Sequence, residues 1–313
     1  MGLIVIQTRI IRIVHILTWI KRGLLAGATA VLLVGCATPP APVPPVAPPA
    51  AAKRLPRIGL ALGGGAARGF AHVGVLQVLD EAGIRPDLVV GTSAGSLVAA
   101  LYASGRGGRE LQQVADSMEE AVFADWTLPI LNRGMLRGEA LARYVNTQVG
   151  QRTIEQLPLR LGIVATDLHS GEGVLFQRGD TGTAVRASSA VPAVFLPVRI
   201  GAHDYVDGGL VSPVPVRYAR EMGAELVIAV DISSAPEGNA ARDPLQILLQ
   251  TFAIMGKSIN AHELKEADLV VRPALAGFGS ADFTSRQRAI GAGRAAMQGL
   301  LPQLKAALQA KAR

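Results

Sequence analysis

A serine framed by glycines is the first feature of the sequence that suggests chemistry. Residues 91–95 read Gly-Thr-Ser-Ala-Gly and fit the pattern Gly-x-Ser-x-Gly. An apolar strand pattern at 87–90 precedes them and a helical pattern begins at Ser93, the setting in which this turn presents a nucleophile. Gly91 and Gly95 permit the sharp turn, and the helix N-terminus favours developing negative charge. The sequence therefore predicts Ser93 as a nucleophile, with a purely structural tight turn as the alternative.

A second glycine-rich loop, residues 63–69, also joins a strand pattern to a helical pattern and reads Gly-Gly-Gly-Ala-Ala-Arg-Gly. A dinucleotide site is excluded because Arg68 stands where that fingerprint needs its last glycine, and no Gly-Lys-Ser/Thr follows to make a P-loop. The loop is instead rich in backbone N–H donors. Such donors stabilise the oxyanion of an acyl-transfer transition state, so we expect an oxyanion hole here. Arg68 either adds positive charge to this hole or forms a structural ion pair.

The partner of the serine is less obvious. An α/β-hydrolase carries an acidic residue and then a histidine after the nucleophile. Three histidines follow the serine, namely His169, His203 and His262. None lies in a turn framed by glycine, whereas Asp207 is followed by Gly208 and Gly209. The sequence favours Asp207 as the partner. Two alternatives remain, a Ser–His–Asp hydrolase and an aspartate that only stabilises its own turn.

Strand and helix patterns alternate along the rest of the chain. Apolar runs at 57–62, 87–90, 159–165, 226–230 and 269–271 read as strands. Apolar residues at three-residue spacing from Phe70 to Leu79 predict a helix that ends near Gly83. Thr284 or Ser285 is a candidate cap of a closing helix. This alternation predicts an α/β fold of three layers, with a mostly parallel central sheet and helices on both faces.

The three motifs, in this order and at this spacing, resemble the patatin-like phospholipase family. Similar stretches at 70–76, 101–105, 187–192, 213–216 and 222–224 extend the resemblance over about residues 57–235. The resemblance implies the patatin-like fold and a Ser–Asp dyad without histidine, in which Ser93 is the nucleophile and Asp207 its partner. It also implies an oxyanion hole formed by Gly64, Gly65 and nearby amides. Ala66 departs from the family's glycine triplet, and a positive φ there would be strained, although its N–H donor is retained.

The resemblance further implies hydrolysis of acyl esters of lipids, with membrane lipids as substrates and no cofactor. No cluster of His, Asp and Glu at ligand spacing indicates a metal site. An ordinary carboxylate, with a pKa near 4, is a poor base towards a serine hydroxyl, so we expect burial to raise the pKa of Asp207. Two alternatives to hydrolysis remain for this chain on the same fold: lipid binding without catalysis, and transfer of the acyl group to an alcohol other than water.

The single cysteine, Cys36, follows Lys21, Arg22, a short apolar run and a Leu-Val-Gly segment. This arrangement resembles the signal peptide and lipobox of bacterial lipoproteins, with residues 1–35 as the leader. A cysteine buried in an uncleaved transmembrane helix is the alternative. We expect a lipidated Cys36 to anchor a periplasm-facing protein in the membrane. Ala37, rather than Asp, after the cysteine favours the inner leaflet of the outer membrane.

Three further segments are predicted after the leader. Residues 36–52 comprise the lipidated Cys36 and a Pro-rich linker, which from Pro39 to Ala52 contains only Pro, Ala and Val and prefers an extended conformation. A catalytic domain at 53–235 follows, and 236–313 is a C-terminal extension of helices and one strand packed on it. The leader supplies four cations of the net charge of +7, which leaves +3 for the rest of the chain. Without a Lys/Arg run or an aromatic platform, this charge argues against a nucleic-acid partner.

Overall fold

The computed structural model describes residues 54–118, 136–234, 241–279 and 282–313. The predicted leader, the cysteine at position 36 and the Pro-rich linker lie outside these residues. The strands are β1 (Ile58–Leu62), β2 (Leu88–Thr92), β3 (Arg160–Asp167), β4 (Gly173–Phe176), β5 (Val198–Ile200), β6 (His203–Asp207), β7 (Leu226–Val230) and β8 (Leu269–Val271). The longer helices are α1 (Phe70–Glu81), α2 (Ala94–Ala103), α3 (Gly108–Ser117), α4 (Glu139–Gln148), α5 (Thr181–Ser188), α6 (Val216–Glu221), α7 (Pro244–Glu263) and α8 (Arg286–Ala310).

The strands form one sheet in the order β5-β6-β3-β2-β1-β7-β8, with β4 paired to β3. The pairs of β1 with β2 and β7, of β2 with β3, and of β7 with β8 are parallel. The pairs of β3 with β4 and β6, and of β5 with β6, are antiparallel. The predicted mostly parallel sheet is confirmed. All five predicted strands form, whereas β4, β5 and β6 were not predicted.

Both faces of the sheet are covered. Alternate side chains of a strand point to opposite faces, and those of the central strands enter two different cores. In β1, Leu60 and Leu62 pack into the core beneath α1, α2, α3 and α8, while Ala61 packs into the core beneath α6. In β7, Ile228 joins the first core and Ala229 the second. Strands that are buried on both faces read as continuous apolar runs. The predicted three layers are therefore present.

The C-terminal helix packs closely on the helix that follows the glycine-rich loop. A Cβ atom added at Gly74 of α1 would lie 2.0 Å from the carbonyl oxygen of Ile290 in α8, and one added at Gly293 would lie 1.9 Å from that of Ala71. Only glycine permits this approach of two backbones. The predicted closing helix is confirmed and begins after Ser285, although the Ser285 side chain makes no capping hydrogen bond.

The two ends of the folded body meet. The backbone N–H of Arg54 donates to the carbonyl oxygen of Arg313 at 2.6 Å, and the N–H of Arg313 donates to that of Arg54 at 3.0 Å. The Arg54 guanidinium also makes two hydrogen bonds of 2.9 Å to the carboxylate of Glu225. None of the described helices combines the length and apolar character that crossing a bilayer requires.

Candidate active site

Ser93 occupies the turn between β2 and α2, at the carboxyl edge of the sheet. Its backbone has φ 53° and ψ −124°, a conformation that a non-glycine residue adopts at a cost of about 1–3 kcal/mol. The two flanking positions have no room for a side chain, so glycine is required at both. A Cβ at Gly91 would lie 2.4 Å from the carbonyl oxygen of Gly95, and one at Gly95 would lie 2.1 Å from that of Leu62. The predicted strand–turn–helix setting of the serine is confirmed.

A buried hydroxyl holds this turn in place. The backbone N–H of Ser93 donates to the Oγ of Ser188 at 2.9 Å, and that hydroxyl donates to the carbonyl oxygen of Val164 at 2.5 Å. Ser188, at the end of α5, is fully buried. The preceding residue, Thr92, is fixed in a similar way, because its hydroxyl donates to the Ser212 carbonyl oxygen at 2.9 Å. The strained turn is therefore tied to β3 and to the segment that follows Asp207.

Asp207 ends β6, next to β3, and only 7% of it is exposed. The Thr166 hydroxyl donates to its carbonyl oxygen at 2.8 Å. One carboxylate oxygen accepts the Gly209 N–H at 2.7 Å, and the Ser93 side chain is close enough to stabilise the charged carboxylate. A Cβ at Gly208 would lie 2.2 Å from the Val164 carbonyl oxygen. The carboxylate thus stabilises its own turn, and it also reaches the serine.

Burial determines the protonation of this carboxyl group. Desolvation raises the pKa of Asp207 from 3.8 to about 6, partly offset by the Ser93 side chain and the Gly209 N–H, which both favour the charged carboxylate. A buried charge without a cationic neighbour is disfavoured, whereas donors to the carboxylate favour its charged form. The expected rise of the pKa of Asp207 is confirmed in direction.

The glycine-rich loop lies against the nucleophile. A Cβ at Gly64 would lie 3.2 Å from the Cβ of Ser93. Ala66 has φ 51°, so the strain expected from its departure from glycine is present. Ala66 opens a 3-10 turn that leads into α1, and the first amides of such a turn have no internal acceptor. In the described structure the N–H groups of Gly65, Ala66 and Ala67 have no protein acceptor, and they are the free donors of the loop.

Two predicted oxyanion donors need correction. The N–H of Gly64 donates to the Pro213 carbonyl oxygen at 2.9 Å, and the N–H of Arg68 donates to the Gly65 carbonyl oxygen at 3.2 Å. Both amides therefore serve the loop itself. The Arg68 guanidinium donates to the Ser234 hydroxyl, and burial lowers its pKa while Asp231 opposes that effect. Arg68 is not among the residues that line the cavity at the serine. Its side chain therefore has a structural role.

In the described part of the chain, no histidine is hydrogen-bonded to the serine. The Nδ1 of His203 lies 2.7 Å from a carboxylate oxygen of Asp167, whose other oxygen accepts the backbone N–H of His169 at 2.8 Å. His262 is hydrogen-bonded to the carbonyl oxygen one turn back in its own helix. His72 is fully buried, its Nε2 lies 2.8 Å from the Gly63 carbonyl oxygen, and burial lowers its pKa to about 4. Among the described residues, Asp207 is the titratable partner of Ser93.

An apolar cavity of about 400 Å³ reaches the nucleophile. It lies between α1, α2, α3, α4 and the segment after α5, and Ser93, Ala66 and Ala67 take part in its wall. The rest of the wall is almost entirely apolar and includes Phe70, Val73, Leu97, Leu101, Leu111 and Phe195. In the part of the chain that the structure describes, no three His, Cys, Asp or Glu side chains come together as metal ligands.

Sequence reasoning missed three parts of this site. Ser188 lies in a stretch that resembles the family, but nothing in its local pattern indicates that its hydroxyl would hold the nucleophile turn. The Pro213 carbonyl oxygen, which engages Gly64, is a tertiary contact without a sequence signal. Ala67 could have been found, because the first amides of any helical turn lack internal acceptors.

Three similar proteins place this geometry in context. An uncharacterized NTE family protein of Mycobacterium tuberculosis is 39% identical over 189 residues, which cover 60% of this chain and 52% of that protein. Patatin-like phospholipase domain-containing protein 6 of Mus musculus is 36% identical over 188 residues, which cover 58% of this chain and 14% of that protein. This chain thus spans about half the length of the mycobacterial relative and a smaller part of the murine one.

The solved structure of VipD from Legionella pneumophila shares the fold, with a TM-score of 0.53 at 16% identity over 80% of this chain and 68% of that chain. The family model described as patatin-like phospholipase matches residues 60–220, just over half of this chain. That range contains the glycine-rich loop, the serine turn and the aspartate turn described above. The chain belongs to the patatin-like phospholipase family.

Proposed function

We propose that this protein is a serine acyl hydrolase that cleaves acyl esters of lipids through an acyl-enzyme on Ser93, with Asp207 as the general acid–base of a Ser–Asp dyad. The observation that carries the proposal is a buried carboxyl group, that of Asp207, which interacts with the Ser93 side chain and whose pKa burial raises to about 6. A base with a pKa close to the working pH combines a useful deprotonated fraction with driving force for proton transfer.

In the acylation step, the Ser93 oxygen attacks the ester carbonyl carbon while its proton passes to Asp207. The carbonyl oxygen becomes an oxyanion, for which the free N–H groups of Gly65, Ala66 and Ala67 are the available donors. The tetrahedral intermediate then collapses, the carbon–oxygen bond to the alcohol breaks, and Asp207 returns the proton to the leaving oxygen. The acyl group is left on the serine.

Deacylation reverses these roles with water. Asp207 takes a proton from a water molecule, which attacks the acyl-enzyme, and the Ser93 oxygen leaves and regains the proton. The product is a free fatty acid. The same intermediate would yield an ester if another alcohol replaced water, so product analysis distinguishes hydrolysis from acyl transfer.

The cavity supports a lipid acyl chain as the part of the substrate that is recognised. A methylene group fills about as much space as a water molecule, roughly 30 Å³ in the liquid, so 400 Å³ accommodates a chain of roughly a dozen carbons. Away from the reacting groups, its wall is almost entirely apolar and favours an unsubstituted acyl chain. We expect kcat/KM on soluble aryl esters to rise with acyl length up to that size.

Labelling with a fluorophosphonate probe tests the nucleophile. The purified full chain should become labelled, and Ser93→Ala should not, while both give the same circular dichroism spectrum. Ser170→Ala, at an exposed hairpin turn, is the matched control and should label like the wild type. A folded wild type that fails to label, with lipid present and at several pH values, would refute the hydrolase and leave a lipid-binding protein on the same fold.

We also propose that lipidation of Cys36 anchors the protein at the periplasmic side of the bacterial envelope, in the inner leaflet of the outer membrane. The lipobox-like sequence supports this proposal. Metabolic labelling with an alkyne fatty acid should tag the wild type and not Cys36→Ser, and membrane separation should place the tagged protein with the outer membrane. Absence of the tag would contradict the anchor without affecting the hydrolase proposal.

A further inference from the structure

The N-terminal part of α7 exposes a cluster of large apolar side chains. None of residues 244–255 is buried, although the segment is rich in large apolar side chains. The exposed fractions of Ile247, Ile254 and Met255 are 54%, 54% and 48%, and Leu245 and Leu249 are also exposed. Exposed apolar clusters of this kind mark interaction sites.

This segment carries no charge from residue 244 to residue 256. Surface helices of soluble proteins present charged residues on the side away from the core, whereas a helix that is apolar all round requires an apolar environment. The fully buried residues of the helix, Gly256, Asn260 and Glu263, all lie towards its far end, whereas residues 244–255 are exposed or at most half-buried.

The exposed side chains surround the helix axis. At 3.6 residues per turn, Leu245 and Leu249 lie on one side, while Ile247 and Ile254 lie on the opposite side. A second copy of this chain, or any other folded partner, covers one stripe of a helix. A lipid phase covers every side. The distribution of the apolar residues therefore favours lipid as the occupant.

The anchored end of the helix is attached to the catalytic edge of the sheet. A carboxylate oxygen of Glu263 accepts the Ser212 hydroxyl at 2.6 Å, and Ser212 is the residue whose carbonyl oxygen binds Thr92, next to the nucleophile. A Cβ at Gly256 would lie 3.4 Å from Pro213, whose carbonyl oxygen fixes the glycine-rich loop. A bilayer that holds α7 would thus lie beside the edge at which the reacting groups meet.

We propose that residues 244–255 of α7 insert into the surface of a lipid bilayer and act as a second membrane contact, separate from the N-terminal cysteine. This contact sets the orientation of the folded body on the membrane. It does not depend on the hydrolase chemistry, and it would hold for a protein without catalytic activity.

Site-specific labels test this contact directly. Cys36→Ser removes the single cysteine and with it the proposed anchor. Into this full-length background, Leu249→Cys, Ile254→Cys or Ala306→Cys introduces one attachment point for an environment-sensitive fluorophore. The first two lie on opposite sides of α7, and the third is an exposed position of α8 that serves as the control. Phosphatidylcholine vesicles with brominated acyl chains report contact with lipid.

We expect the labels at 249 and 254 both to be quenched by the brominated lipid, at a depth of about 5–10 Å, and the label at 306 to be unaffected. Adding Ile247→Asp should weaken the vesicle affinity reported at position 254 by about tenfold. Quenching of only one side of α7, of neither side, or of all three positions would overturn the proposal. So would protection of either α7 label from aqueous iodide before vesicles are added, because another protein surface would then cover the helix.

Discussion

Two neighbouring turns of this protein have the same construction and opposite uses. The strands β1 and β2 are adjacent and parallel, and each ends in a glycine-rich turn that leads into a helix. Each turn contains one non-glycine residue at positive φ, namely Ala66 at 51° and Ser93 at 53°. In the serine turn the backbone N–H is bound by Ser188, so the turn offers a side chain. In the alanine turn the N–H groups are free, so the turn offers its backbone.

The two turns are both strained, but only at one of them does function require the strained residue. At the serine turn a side chain must be presented, so glycine cannot relieve the unfavourable φ without removing the reacting group. At the alanine turn the contribution comes from the backbone, and the methyl group has no part in it. We therefore expect strain to be removable without loss of function at Ala66 but not at Ser93, and five predictions test this difference.

The largest effect is expected at the nucleophile. Ser93→Ala and Ser93→Gly should each lower kcat by about 10⁴- to 10⁶-fold. Both variants lose the hydroxyl, but only glycine accepts the positive φ without strain. The free energy of unfolding of Ser93→Gly should therefore exceed that of Ser93→Ala by about 1 kcal/mol or more. Urea titration measures the difference. Equal stabilities would show that the turn is not strained.

Asp207→Asn should lower kcat/KM by about 10⁴-fold, since the amide cannot accept the serine proton. The same change should stabilise the fold. With a pKa of 3.8 unfolded and about 6 folded, the wild type loses stability as the pH rises between these values, by on the order of 3 kcal/mol.

The stability gain of Asp207→Asn should therefore be large at pH 8 and small at pH 4. Asp204→Asn, in the same strand with a half-exposed side chain, should change neither activity nor stability strongly. A gain for Asp207→Asn that is independent of pH would show that the carboxyl group is not perturbed as described.

The pH profile follows from the same carboxyl group. Because Asp207 must be deprotonated to accept the serine proton, kcat/KM on a soluble ester should rise with pH, with a midpoint near 6, and then level off. Stopped assays from pH 4.5 to 8.5 measure it. A midpoint near 4 would indicate a solvated carboxylate.

Ser188→Ala should have a smaller effect on both properties. It leaves the Ser93 N–H and the Val164 carbonyl oxygen without their shared partner, which costs about 1–3 kcal/mol in stability for buried groups. We expect kcat to fall with little change in KM, since the substrate cavity is unaltered. Ser104→Ala, which loses the local hydrogen bonds of its hydroxyl with Leu101 and Arg106 at the end of α2, is the control and should retain kcat.

The smallest effect is expected at the alanine turn. Ala66→Gly should raise the free energy of unfolding by less than about 1 kcal/mol, because relief of strain is partly offset by the freedom of glycine in the unfolded chain. Activity should be preserved, since the N–H remains. Gly65→Ala is the contrasting change: its Cβ would lie 2.8 Å from the Ile232 carbonyl oxygen and should displace the loop. Loss of activity in Ala66→Gly would refute the division between the two turns.

The sequence predicted the reacting residues better than their supports. The serine and aspartate turns are local patterns, and the central strands are recognisable because burial on both faces makes them continuously apolar. β5 and β6 are short, antiparallel and partly polar, so their sequence resembles loop. The role of Ser188 depends on α5 ending beside a turn that lies 95 positions earlier in the chain, and no local pattern encodes such proximity.

The oxyanion loop shows the same limit at smaller scale. Composition predicted a loop rich in donors, and the departure at Ala66 correctly signalled strain if φ were positive. Which amides are free depends on where Pro213 lies, because its carbonyl oxygen occupies the N–H of Gly64. The exposure of the apolar segment of α7 was not predicted for a related reason. Its uncharged sequence is typical of a core helix, and only its surroundings show that it is exposed.

The contact between Arg54 and Arg313 has a consequence for the topology of the fold. Since the two ends of the body already exchange backbone hydrogen bonds, a short peptide could join them, and new termini could be opened at Gly171, an exposed hairpin turn between β3 and β4. Such a circular permutant would keep every strand neighbour while changing the order in which the elements are synthesised. The reacting residues would then meet as before, because their proximity depends on the arrangement of strands in the sheet and not on their succession along the chain.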